Sequence, residues 1–122
     1  MIERRAEVRL LCADLVEVRW KDKTGRARKG IANLEDISHS GVCIQLDDPI
    51  PVDTRVTVCH AKAQLQGNVR YCLFRETGYF LGIQLAPDCK WSPKQYRPRH
   101  LLDPRRLVLR AAKRALKRPL PH

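Results

Sequence analysis

Val8-Arg9-Leu10-Leu11-Cys12-Ala13-Asp14-Leu15-Val16-Glu17-Val18-Arg19-Trp20 places Val8, Leu10, Cys12, Val16, Val18 and Trp20 on even positions, with Glu17 and Arg19 between the last of them. Successive strand residues point to opposite faces, so this period of two reads as one long strand buried on one side. The pattern continues down the chain. Lys21 to Arg26 contains Thr24-Gly25 and is expected to turn, leading to a second strand near Arg28 to Leu34. Val42, Ile44 and Leu46 give the next apolar face, ended by Asp47-Asp48-Pro49-Ile50-Pro51. Arg55 to His60 alternates through Val56 and Val58. Leu65, Val69, Tyr71 and Leu73 then line a longer strand, with Gly67 as its candidate bulge. Glu76-Thr77-Gly78 turns into a last strand through Leu81, Ile83 and Leu85. About six strands with short connections is an all-β pattern, a small antiparallel barrel or a sandwich, and alternation alone leaves both open.

The strands occupy residues 1–86, and the rest of the chain is built differently. Pro87, Pro93, Pro98 and Pro104 make residues 87–104 a stiff connector that neither helix nor strand can span. Asp103-Pro104 is a helix start, with a side-chain cap followed by proline at the first helical position. The C-terminal α-helix expected at 105–118 gathers Leu107, Val108, Ala111, Ala112, Ala115 and Leu116 on one side. Arg106, Arg110, Lys113, Arg114 and Lys117 fall on the other. Charge follows the same division. Residues 90–122 hold 11 of the 24 Lys and Arg but Asp103 alone of the 13 acids, so the strand-rich part is close to neutral. The basic excess is a property of the C-terminal quarter.

No apolar run is long enough to cross a bilayer, and Met1 is followed almost at once by charge, so a cytoplasmic location is expected. Cys12, Cys43, Cys59, Cys72 and Cys89 contain no C-x-x-C pair and read as reduced thiols packed as small apolar groups. No cysteines or histidines have zinc-finger spacing, so no metal site is expected. Nucleophilic catalysis needs a nucleophile, a base and an orienting group together, and no G-x-S-x-G, paired-carboxylate or Walker-type segment is present. No catalytic residues are assigned, and the chain reads as a binding protein rather than an enzyme, with no cofactor.

Two short stretches carry the binding chemistry. Arg5 and Arg9 stand four apart, and Asp36-Ile37-Ser38-His39-Ser40-Gly41 has the form D-x-S-x-x-G. Arginine's planar fork fits phosphate oxygens or the O6/N7 edge of guanine. Aspartate can accept from the guanine N1 and N2 donors, and a serine hydroxyl can serve phosphate or ribose. Gly41 permits a turn with positive φ or close approach of a ligand. Without a ligand, Asp36 reads as an Asx-turn with Ser38 as its cap, and a turn that fixes these side chains also presents them. His39 and Ser40 are expected to face water.

With Arg4-Arg5-x-x-x-Arg9, the segment Asp36 to Val42 and the closing strand Tyr79-Phe80-Leu81-Gly82-Ile83-Gln84-Leu85, the sequence resembles the PilZ domain over roughly residues 3 to 86. PilZ domains are bacterial modules that bind the second messenger cyclic di-GMP. The resemblance selects the six-stranded antiparallel barrel over the sandwich and fits a helix after it. It implies Arg5, Arg9, Asp36, Ser38 and Gly41 as ligand-binding residues, the arginines lying on a loop that closes over the ligand. Arg4, one residue out of that register, and Arg70, on a neighbouring strand, are secondary candidates. Ligand binding would then be relayed to an unidentified downstream protein.

A rival reading assigns the function to the basic helix, as a module binding protein, nucleic acid or an anionic membrane. Its apolar side is mostly alanine, which suits packing on the barrel or on a second copy in a homodimer better than insertion between lipids. Trp91 and Tyr96, set among Lys90, Lys94, Arg97 and Arg99, are expected to pin the connector to the barrel wall rather than to stack on bases.

Overall fold

Period-two alternation becomes six strands in a computed structural model that describes residues 8–60 and 63–104. They are β1 (Leu10–Lys21), β2 (Ala27–Ile37), β3 (Gly41–Leu46), β4 (Arg55–His60), β5 (Ala63–Arg75) and β6 (Gly78–Leu85). All neighbouring pairs are antiparallel, and the order β1-β2-β3-β6-β5-β4 closes on itself as a barrel. Closure leaves no unpaired sheet edge. The Arg4 and Arg5 positions and the helix expected at 105–118 lie outside the described residues.

The inward face is the one the alternation marks: Val16, Val18, Leu34, Ile44, Val56, Val69, Leu81 and Ile83 are all buried in one apolar cluster. Between β1 and β2 the chain turns at Asp22–Arg26, where Asp22 Oδ1 accepts from the amides of Thr24 and Arg26 and Gly25 takes φ +81°. That is the left-handed region glycine enters without steric cost.

Three interruptions of register lie side by side. Cys12 and Ala13 of β1 face the single Glu35, Glu35 is itself extra against β3, and Arg70 of β5 is extra against β6. Each added residue shifts the alternation of its own strand by one position. The expectations for β5 are corrected here. Its bulge is at Arg70, not Gly67, and beyond it Cys72 packs inward while Tyr71 and Leu73 turn outward, 36% and 46% exposed. Gly67 stays in register with Val56 and Leu85, and glycine is required there because a Cβ would lie 2.2 Å from the Gln84 carbonyl oxygen.

The connector runs back along the barrel. Leu11 and Leu102 exchange backbone hydrogen bonds of 2.7 Å, and the Ala13 amide donates to the Arg99 carbonyl at 3.0 Å. Trp91 and Tyr96 are buried in the core cluster. Trp91 Nε1 donates to the Tyr96 carbonyl at 2.8 Å, and the Tyr96 hydroxyl donates to Asp14 Oδ2 at 2.7 Å. These aromatics hold the connector against the wall.

Candidate functional site

The row of residues at the level of the bulges runs Leu11, Asp36, Cys43, Gly82, Tyr71, crossing β1, β2, β3, β6 and β5 in turn. Residues directly paired across strands share a face. With Ile37, Val42 and Ile83 of the next row buried in the core, this row points outward. Arg9 precedes β1 and is exposed at the same edge. Asp36, Cys43, Gly82 and Tyr71 of this row line a hollow of about 320 Å³ together with Arg9, Ser38, Gly41 and Arg70. Sequence positions more than twenty apart, from Arg9 to Asp36, thus line one concavity.

Asp36 sits within β2, paired with Leu11 and Cys43, rather than in an Asx-turn. The strand runs three residues past the expected Leu34, because the bulge at Glu35 lets Ile37 re-enter the core. Ser38 is buried, 7% exposed, and closes the β2–β3 turn: its amide and its hydroxyl both donate to the Gly41 carbonyl, at 2.8 and 3.2 Å. Gly41 does not take a positive φ, since only Gly25 and Gly78 do so among the described glycines. Space is tight there, as a Cβ would lie 3.2 Å from the Ile83 carbonyl oxygen.

The two residues expected to face water are also held by the connector and β6. Ser40 lines the hollow, and its carbonyl accepts from the Leu85 amide at 2.8 Å. His39 is exposed yet engaged: its carbonyl accepts from the Trp91 amide at 2.9 Å, and its Nδ1 lies 3.0 Å from the Trp91 carbonyl oxygen. The connector therefore braces the turn that carries Ser38.

The side of the hollow formed by Tyr71 was missed from the sequence. Its hydroxyl reaches Cys43 Sγ at 3.8 Å, and its ring lies against Gly82, where a Cβ would meet ring carbons at 2.0 to 2.6 Å. Burial pushes the Tyr71 phenol up to about 12; Cys43 and Asp36 add to the rise, and Arg9 opposes it. Burial likewise raises the Cys43 thiol, Asp36 and Glu35 acting with it and Arg9 against it. A cation and an anion thus act on the same two groups. Such a mixed field suits a ligand that offers both donors and anionic acceptors.

A larger groove of about 1390 Å³ opens at the other end of the barrel, between the β1–β2 turn and Asp48–Arg55. None of the expected site residues lines it. Basic groups outnumber acidic ones on its lining, Arg19, Lys21, Lys23, Arg28, Lys29 and Arg55 against Asp22, Asp48 and Asp53, with Arg28 and Asp22 paired at 3.8 Å. Among the described residues no group of three or more His, Cys, Asp or Glu is placed to hold a metal ion.

No protein-family model matches the chain, and no curated protein matches it. Its structure is similar to that of the "PilZ domain with c-di-GMP of YcgR from Escherichia coli", with a TM-score of 0.52 and 13% sequence identity over 95% of this chain and 100% of that one. With the six antiparallel strands closed as they are, the chain has a PilZ-like fold.

Proposed function

We propose that this barrel is a non-catalytic receptor for cyclic di-GMP. The observation that carries the reading is the convergence of Arg9, Asp36, Ser38, Gly41 and Arg70 on one hollow of the outer wall. Its volume falls at the small end of the usual range for ligand sites, roughly 300–1,000 Å³. It suits one guanine and its phosphate, the remainder of the ligand extending over the surface. In this reading Arg9 forks onto phosphate or the guanine O6/N7 edge, and Asp36 accepts from guanine N1 and N2. Ser38, buried and bonded to Gly41, chiefly fixes the turn. Arg70 approaches from the far side. Arg5, four positions before Arg9 and outside the described residues, would supply a second guanidinium fork in this reading.

The similar YcgR domain was solved with c-di-GMP, which supports the choice of ligand. Ordering of the arginine segment by the ligand then offers a partner protein a changed surface, making the domain an adaptor. Calorimetric titration with cyclic di-GMP tests this. Arg9→Ala is expected to weaken binding roughly tenfold or more, the value of one good bidentate contact. Absence of binding heat from the wild type at high protein concentration removes the proposal.

A further inference from the structure

The groove of about 1390 Å³ at the far end of the barrel has two unlike walls. One is the β1–β2 hairpin. Val18 and Trp20 are buried, so Arg19 and Lys21 point outward, and Arg19 is paired directly with Lys29 of β2. Like charges opposite each other destabilise a sheet. Arg19 leans back along β1 onto Glu17 at 2.7 Å, whereas Lys21, Lys23 and Lys29 are exposed and form no ion pair among the described residues. Asp22 is committed to the turn, its Oδ1 accepting from two amides and its Oδ2 lying 3.8 Å from Arg28. Lysines often guard an open strand edge, but this sheet is closed and has none to guard. The facing wall is apolar: Pro49, Pro51 and Val52 are exposed, Val52 keeping 53% of its surface.

We propose that this groove docks an acidic, partly apolar peptide segment of a partner protein. Its carboxylates meet Lys21, Lys23 and Lys29, and an apolar side chain rests on Val52 and the two prolines. The dock stands apart from the cyclic di-GMP hollow and does not depend on it. Four observations choose this occupant. The volume exceeds the roughly 300–1,000 Å³ of small-molecule pockets, so a length of chain fits better than a metabolite. Asp48 and Asp53 on the apolar wall repel a phosphate backbone but can accept from peptide amides. Trp20, the aromatic residue on the lining, is 8% exposed and offers no open ring for bases to stack on. The chain's own C-terminal quarter carries the basic excess, so charge does not favour it as the occupant.

The test is fluorescence polarisation of the full chain with a labelled peptide alternating glutamate and leucine. Saturable binding that weakens as salt is raised is the expected result. Exposed ion pairs contribute little singly, so Lys21→Gln, Lys23→Gln and Lys29→Gln combined should weaken binding roughly 3- to 150-fold. A peptide with glutamine in place of glutamate should bind the wild type weaker by a similar factor. Val52→Ser, which removes half-exposed apolar surface, should cost roughly 3- to 10-fold. All four substituted side chains are exposed, and thermal melting checks that each variant is folded. No saturable binding of the acidic peptide, or binding unchanged in both variants, overturns the dock. Tighter binding of labelled oligothymidylate or of phosphatidylglycerol vesicles, lost in the lysine variant, overturns it in favour of nucleic acid or a membrane. Sedimentation showing a dimer that the lysine variant abolishes, with no peptide bound, overturns it in favour of a second copy.

Discussion

Replacing Tyr96 by phenylalanine removes one oxygen atom from the contact that ties the connector to the barrel. The ring is 5% exposed and lies 4.4 Å, centroid to centroid, from His60, so phenylalanine keeps the apolar burial and the ring contact. What goes is the 2.7 Å hydrogen bond to Asp14 Oδ2. The Asp14 side chain is only 10% exposed, and its other near neighbour, His60 Nε2, is 3.7 Å away, too far for a hydrogen bond. A bond to a carboxylate contributes about 1.5–3 kcal/mol, and the acceptor left without it gains little water in compensation. We expect Tyr96→Phe to cost about 2 kcal/mol, moving the urea midpoint by roughly 1 M at unchanged slope. A double-mutant cycle with Asp14→Ala isolates the pair, and its coupling should account for most of that loss. A coupling below about 0.5 kcal/mol, or Tyr96→Phe as stable as wild type, would refute the claim that this bond anchors the connector.

Two further outcomes follow from the same packing. Gly67→Ala drives a Cβ to 2.2 Å from the Gln84 carbonyl oxygen and 2.9 Å from Ile83 Cγ2, so β5 and β6 must separate locally. It should lower stability by about 2 kcal/mol or more in urea unfolding, despite the unfolded-state entropy that favours alanine. At alkaline pH, burial raises the phenol of Tyr96, with the Asp14 hydrogen bond and charge adding to it, and burial pushes that of Tyr71 up to about 12. The unfolded chain loses these protons near pH 10 while the native protein keeps them, so stability falls from pH 10 towards 12. The decline should be shallower in Tyr96→Phe combined with Tyr71→Phe, measured by urea midpoints across that interval.

Most of the barrel was legible because an inward face on one long strand needs apolar residues at every second position. Val16, Val18 and Trp20 obey that rule without interruption. The rule fails where a strand gains a residue. From Val69 through Tyr71 to Leu73 the odd positions look apolar and continuous, so nothing in β5 alone shows that Arg70 reverses the faces. The signal lay in the partner strand. Gly82 interrupts the apolar run Tyr79 to Ile83 of β6, and a glycine there marks a side chain lying across it. Cys72, small and apolar enough to face inward, was the other hint. The site divides along the same line. Asp36, Ser38 and Gly41 stand out as a local pattern, whereas Tyr71 and Gln84 enter through pairing between distant strands. Of the two properties for which Gly41 stood out, positive φ is absent, while space is tight, with a Cβ falling 3.2 Å from the Ile83 carbonyl oxygen.

The paired amides and carbonyls of Leu11 and Leu102 hold β1 and the connector roughly 5 Å apart, one strand spacing. Leu11 stands two residues after Arg9, so a pull on the connector at Leu102 is transmitted first to the strand that carries Arg9 to the edge of the hollow.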